Sequence, residues 1–233
     1  MQRRITVPAA IGAGLLALTG CGTGSGTSTA TASAVESPAA AQTTTPTPTP
    51  AKTFSNADLS SQLSTLKDAQ GKQLTVVPAA QIDQGIAKAK ELLKTATVTP
   101  ETCKVLVDSN ANVPDGSTYA GGTSISTADK TAIVVTVFAV KDAKTMTDQL
   151  NASQAAAAPC KTFTLEAGGQ KITTETTPVD ADADGDVSFA ALTKQQLATG
   201  QSQTALTVTG IKGNLAATAV KTGPAVTEKE SAE

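Results

Sequence analysis

The sequence contains no histidine and no tryptophan, and its 233 residues include one tyrosine and four phenylalanines. Without histidine, the Ser-His-Asp and Cys-His arrangements of hydrolases are excluded, and the commonest metal ligand is missing. Few aromatic side chains and a formal net charge of −2 give neither a stacking platform nor a basic surface for nucleic acid. We expect no nucleic-acid partner, no cofactor and no catalytic residue.

Long apolar runs are also missing at the N-terminus. The apolar stretch from Ile5 to Leu18 is shorter than the roughly 20 residues that a membrane-spanning helix needs. Arg3 and Arg4 precede it, as in a signal peptide. The motif Leu18-Thr19-Gly20-Cys21 resembles the bacterial lipobox, whose cysteine becomes the lipidated N-terminus after cleavage.

The lipobox resemblance defines the first boundary of the chain. Residues 1–20 are predicted to be a lipoprotein signal peptide, and Cys21 is predicted to carry acyl chains, palmitate among them. Several acyl chains on one residue would anchor the protein stably at the extracytoplasmic face of the cell membrane. The alternative is an ordinary secretory signal with an incidental cysteine near the cleavage point.

Composition changes sharply after Cys21. Residues 22–50 are almost entirely Gly, Ser, Thr, Ala and Pro, with a single charge at Glu36. Such a segment cannot bury enough apolar surface to offset the entropy of ordering it, and its Thr-Pro end favours extended polyproline II. We predict a disordered tether over residues 21–53 and a flexible charged tail over residues 223–233.

Cysteine is scarce as well, with three residues in the chain. If Cys21 is lipidated, Cys103 and Cys160 remain for an oxidising compartment, and one disulfide between them is the simplest interpretation. The competing interpretations, a metal site or a catalytic thiol, lack a histidine partner.

Residues 54–222 show the periodicity of one α+β domain. Ser55-Asn56-Ala57-Asp58 is typical of a capping box that opens a helix with Leu59, Leu63 and Leu66 on one side. Further helices are predicted after Pro78, with Ile82, Ile86, Ala89 and Leu93 on one face; after Thr99-Pro100-Glu101, with Cys103, Leu106 and Val107; and over Asp142 to Ala157.

The remaining segments of the domain predict strands. Thr131 to Val140 is rich in β-branched and apolar residues, which favours an interior strand. Gly168-Gly169 and Gly213-Asn214 are turn signals that predict hairpins. The expected fold class is α+β, with a mostly antiparallel sheet, several helices and one disulfide. The other predicted strands are 160–165, 172–177, 187–192, 205–211 and 215–220, together with a segment around Tyr119.

The chain resembles actinobacterial envelope lipoproteins whose domain is related to the PknH-type extracellular sensor domain of receptor-like kinases. The resemblance rests on residues 98–103, on the helix end 155–160 with Phe163-Thr164, and on the Gly213-Asn214 turn. It implies a helix tied to a strand by a disulfide and a sensing or binding role outside the membrane. The sensor domain has two disulfides, whereas this chain can form one.

One segment suggests a metal ion. Asp180, Asp182, Asp184 and Asp186 alternate around Gly185, as in the first half of a calcium loop. The match fails at the twelfth position, where Ala191 replaces the bidentate glutamate. These residues are weak candidates, and a solvated acidic loop is the favoured interpretation.

The sequence leaves the function open among three classes. The favoured one is a non-catalytic, sensor-like module that binds an unknown envelope ligand or protein. The alternative is a carrier of a lipid or another hydrophobic envelope molecule. An enzyme is the third possibility and would need a carboxylate pair or a Ser/Lys arrangement.

Overall fold

The computed structural model describes residues 52–227 and 229, except 110–112, 115, 181 and 182. Cys21, the signal peptide and nearly all of the tether therefore lie outside the described residues. In the part of the chain that is described, no helix is both long and apolar enough to span a membrane.

Nine strands form one sheet, in which every pair of neighbours is antiparallel. The strands are β1 (Thr75–Val77), β2 (Thr97–Thr99), β3 (Thr118–Ser126), β4 (Thr131–Ala139), β5 (Thr162–Ala167), β6 (Gln170–Val179), β7 (Val187–Leu197), β8 (Ser202–Lys212) and β9 (Leu215–Gly223). Their order is β1-β3-β4-β9-β8-β7-β6-β5-β2. The predicted fold class is confirmed, as is the interior position of β4.

Helix α1 (Asn56–Leu63) begins at the predicted capping box. The Ser55 hydroxyl accepts the Asp58 N–H at 3.2 Å, and the Asp58 carboxylate accepts the Ser55 N–H at 2.9 Å. Leu59 and Leu63 are buried, but the helix ends before Leu66, whose exposed fraction is 45 %. The prediction that Leu66 continues the apolar stripe is therefore wrong, because the chain leaves the helix at Ser64.

Helix α2 (Ala79–Lys94) joins the two edge strands of the sheet. Pro78 stands at its N-cap, and Ile86 is buried in the middle of the predicted apolar face. Ile82 packs on Gly121 of β3, where an added methyl group would lie 3.1 Å from its Cδ1 atom. Leu92, near the other end, lies beside Gly168 in the turn between β5 and β6.

These two contacts of α2 show that the sheet is curved. In a flat sheet, the six spacings from β3 to β5 would amount to about 29 Å. The helix rises only about 15 Å between Ile82 and Leu92. The sheet must therefore bend towards α2, and we call the side that faces α2 the concave face and the other side the opposite face.

Two more helices lie on the concave face. A 3-10 turn (Glu101–Cys103) leads into α3 (Lys104–Ser109), and α4 (Ala143–Ala157) begins at Asp142, whose side chain accepts the Lys144 N–H at 3.0 Å. As predicted, α4 ends before Pro159.

The disulfide joins these two helical segments. Cys103 and Cys160 are bonded, with their Cα atoms 5.5 Å apart, and their exposed fractions are 0 % and 1 %. They are packed with Val98, Val107, Phe163 and Leu165. The predicted disulfide is confirmed, and it lies at the centre of one of the hydrophobic clusters.

The strands differ from the predicted ones mainly in length. Strand β5 begins two residues later than predicted, so Cys160 lies before it and not within it. Strands β6 to β9 extend one to five residues beyond the predicted limits, mostly where polar residues continue the ladder, as at residues 193–197 of β7. Strands β1 and β2 were not predicted, because three residues are too few to show a period. Beyond β9, Val226 is buried.

Candidate functional site

A groove runs along the concave face between the sheet and helices α3 and α4. Its volume is about 250 Å³, and it is partly open to solvent. Strands β4 to β9 supply its floor, and the helices supply a wall that includes Leu106, Met146 and Leu150. Because ligand sites are usually concave and mostly apolar, this groove is the candidate functional site.

Within the described part of the chain, no charged residue lines the groove. Strand side chains alternate between the two faces of a sheet, and the groove takes every second residue of each strand. The six floor strands carry six charged side chains, and the alternation places all of them on the opposite face: Glu166, Lys171, Glu175, Lys194, Lys212 and Lys221. The concave face of β4 to β9 is uncharged throughout.

One end of the groove is apolar. Leu150 of α4 packs on Ile211 and Ala216, and Met146 and Phe189 pack against the same cluster. Phe138 of β4 is the cross-strand partner of Ala216 of β9, and its exposed fraction is 3 %. A third phenylalanine of the lining, Phe163, lies on β5 beside Thr174 and therefore away from this end.

Threonine hydroxyl groups line the part of the floor next to the apolar end. The hydroxyls of Thr209 and Thr218 lie 3.1 Å apart across β8 and β9 and are hydrogen-bonded to each other, and both residues are buried. Thr207 comes next along β8, on the same face and only partly buried. The floor therefore changes from apolar to hydroxyl-bearing along the strands.

Neutral amides lie at the far end of the groove. Gln195 of β7 and Gln203 of β8 are direct cross-strand partners, and both line the groove. On the β6 side of β7, the cross-strand partner of Gln195 is Thr174. All these side chains can donate and accept hydrogen bonds without bearing a charge.

The groove lacks the groups that most enzymes use. None of the described residues that line it is acidic or basic, so these residues form no carboxylate pair and no Ser/Lys arrangement. The arrangement can exclude water, pack against apolar groups and exchange hydrogen bonds with neutral polar groups.

The acidic loop after β6 has a structural role at one of its residues. The Asp186 carboxylate accepts the Gly213 N–H at 2.7 Å, and the Asp186 N–H donates to the Ile211 carbonyl at 2.6 Å. This aspartate ties the loop to the turn between β8 and β9. Asp184 is exposed, and Asp182 lies outside the described residues.

Metal-binding groups do not converge elsewhere either, as far as the described residues extend. No three acidic or cysteine side chains among them come together in a way that would hold an ion. The calcium hypothesis for Asp180, Asp182, Asp184 and Asp186 is not tested by this finding, because one of the four is not described.

Comparisons with known proteins give partial similarity. No protein-family model matches the chain, and no curated protein matches it. The extracellular domain of PknH from Mycobacterium tuberculosis is 18 % identical over 57 % of this chain and 71 % of that chain, with a TM-score of 0.44. An uncharacterized protein from Mycobacterium smegmatis is 9 % identical over 60 % of this chain and 68 % of that chain, with a TM-score of 0.36.

The PknH extracellular domain is the kind of domain that the sequence was found to resemble. At such scores the similarity supports no conclusion about function, so function is inferred below from the groove itself.

The groove residues were not identified from the sequence. Threonine and glutamine at alternate strand positions are individually ordinary. The available signal was the position of the charges: in each of β5 to β9, the charged residues fall on one parity and the other parity is neutral. Read across several strands, this pattern predicts an uncharged face.

Proposed function

We propose that this chain is a cell-envelope lipoprotein whose α+β domain is a non-catalytic binding module on the extracytoplasmic face, and that the groove is its binding site. The observation that supports the proposal best is the uncharged, partly open concave face. A solvent-exposed sheet face ordinarily carries charged residues, as the opposite face of the same strands does. A neutral face that is only half-buried is expected where a ligand completes the burial.

The groove favours a sensor-like binder over a carrier. A carrier of a whole lipid has to enclose its acyl chains, and ligand sites typically have volumes of about 300–1,000 Å³. The groove has about 250 Å³ and is partly open to solvent. It is suited to hold one segment of a ligand whose remainder stays outside.

The binding site can be tested by native mass spectrometry of the full chain purified from its own envelope. We expect a noncovalent ligand that dissociates on denaturation. Ala205→Phe should abolish this ligand, because Ala205 lines the groove on β8. Ala219→Phe is the matched control, since Ala219 is exposed on the opposite face of the neighbouring strand. Wild-type protein without a ligand, or equal retention by both variants, would contradict the proposal.

The anchor can be tested separately. Labelling cells with a palmitate analogue should mark the wild-type chain and leave Cys21→Ala unlabelled, with the variant released from the membrane fraction. Ala219→Phe should be labelled like the wild type. Labelling of Cys21→Ala would contradict lipidation at this residue.

A further inference from the structure

We propose that the ligand of the groove is an uncharged amphiphile: one apolar chain lies at the closed end, and a neutral group rich in hydroxyls or amides lies on the threonine and glutamine end. This inference rests on the proposed binding function and adds the chemical class of the ligand. It follows from three features of the lining, namely its charge, its polarity gradient and its shape.

The absence of charge selects against ions. A charged head group placed in the groove would lose part of its hydration and would find no opposite charge on the floor or on the helical wall. The six charged residues of the floor strands point away from it, on the other side of the sheet. A carboxylate, phosphate or ammonium group therefore belongs outside the groove.

The polarity gradient sets the orientation of the ligand. At the closed end, Phe138, Ile211 and Ala216 are all nearly fully buried and offer only apolar contact. At the other end of β7 and β8, Gln195 and Gln203 are only partly buried and offer neutral donors and acceptors to a solvated group. An apolar chain at the first end and a glycan-like or amide group at the second would satisfy both ends.

The shape limits how much of the ligand is held. A volume of about 250 Å³ accommodates a single chain segment with part of a polar head. Because Gln195 and Gln203 are only partly buried, a larger head group beside them can extend into solvent without being enclosed.

A fluorescence titration can test the ligand class, because the chain has no tryptophan. We would use the full chain with Cys21→Ala, so that no acyl chain at that residue competes, and introduce Phe189→Trp as a reporter in the groove. Gln195→Trp is a second reporter, in case the first variant does not fold. Ala219→Trp on the opposite face is the control.

The probes share a chain length and differ in charge: dodecyl maltoside, laurate and dodecyltrimethylammonium, each below its critical micelle concentration, with maltose alone as a head-group control. We expect a saturable response of the groove reporters to dodecyl maltoside and none from Ala219→Trp. Laurate, dodecyltrimethylammonium and maltose should each bind at least about tenfold more weakly.

A designed charge sharpens the test. Thr207→Lys places an ammonium group in the groove and should raise the affinity for laurate at least about tenfold. Val208→Lys, at the next residue of β8 but on the opposite face, should leave every affinity unchanged.

Each remaining outcome overturns a defined part of the account. Equal or tighter binding of a charged probe to the parent groove would refute the uncharged class, and equal binding of maltose would refute the apolar chain. A lack of response to all probes at both reporters would also refute the class. The binding function itself would still be judged by the mass of the complex from the native envelope.

Discussion

The two faces of strands β4 to β9 are built from the same segments and differ in charge. The concave face is neutral, with alanine, threonine, glutamine and apolar residues, while the opposite face carries all six charges of these strands. Both faces are partly exposed, so exposure alone does not explain the difference. This difference supports the proposal that a ligand covers part of the concave face.

The faces also differ in what covers them. Helices α2, α3 and α4 lie on the concave side, and α1 packs on the opposite side against β3 and β4. The disulfide is on the concave side, where it joins the start of α3 to the end of α4. The disulfide therefore holds together the helical wall of the groove, whereas α1 is held on the opposite face by apolar packing.

The largest expected effect comes from removing the disulfide. The double variant Cys103→Ser, Cys160→Ser should lose about 4 kcal/mol of unfolding free energy, because the bond closes a loop of 57 residues in the unfolded chain. Urea unfolding of the oxidised wild type and of the double variant measures the loss. Reductant should destabilise the wild type and leave the double variant unchanged; a loss under about 1 kcal/mol would contradict the role of the bond.

Truncating a buried side chain on the opposite face should lower the unfolding free energy slightly less than removing the disulfide. Leu63 is 1 % exposed and packs between α1 and the sheet, so Leu63→Ala should lower the unfolding free energy by about 3 kcal/mol. Leu66→Ala is the matched control and should change it little, since Leu66 is 45 % exposed. Groove binding should persist in both folded variants. Equal losses from the two truncations would show that α1 is not packed as described.

A smaller effect is expected from the hydroxyl pair in the groove. Thr209→Val leaves the buried Thr218 hydroxyl without its partner and should cost about 1 kcal/mol of unfolding free energy. Adding Thr218→Val removes the unpaired hydroxyl as well, so the double variant should be more stable than the sum of the two single losses implies. Additive losses in thermal unfolding would argue against a mutual hydrogen bond.

The least perturbing test concerns the contact of α2 with the concave side. Burial, the hydrogen bond to Asp83 and the charge of Asp83 raise the pKa of Tyr119 from 10.0 to about 12. Because this is the only tyrosine, near-ultraviolet absorbance follows its ionisation directly. The titration midpoint should fall in Asp83→Asn, without reaching the ordinary value because burial remains.

The raised pKa of Tyr119 also determines how the stability of the fold changes with pH. The folded-state pKa of Tyr119 is above its unfolded value, so its contribution to stability is complete below pH 10.0 and is lost as the pH rises through about 12. Asp129→Asn, which removes a carboxylate from the turn between β3 and β4, at the opposite end of β3 from Tyr119, is a control that should leave the midpoint unchanged. A wild-type midpoint near 10.0 would contradict the contact between α2 and β3.

Local signals in the sequence were sufficient for most of the elements. The capping box at Ser55 and Asp58, the apolar face of α2 and the turn at Gly168 and Gly169 each act within a few residues, and each was predicted. The confirmed disulfide followed from the cysteine count. These features depend on short-range chemistry.

The pairing of strands that are far apart in the sequence could not be predicted from such local signals. Strand β4 pairs with β9, about 80 residues later, and nothing local in either segment specifies that partner. The groove depends on this pairing, because its floor combines Val134, Ala191, Thr207 and Val220 from four strands. The edge strands β1 and β2 were missed for the same reason, since three residues become a strand only beside a neighbour.

The most direct test of the groove as the binding site compares neighbouring alanines on the two faces. Methyl NMR spectra of the full chain with Cys21→Ala would be recorded during titration with dodecyl maltoside. The account predicts shifts at Ala191 and Ala216, which line the groove, and none at Ala190 and Ala217, the adjacent residues on the opposite face. Shifts confined to the opposite face, or equal on both faces, would contradict it.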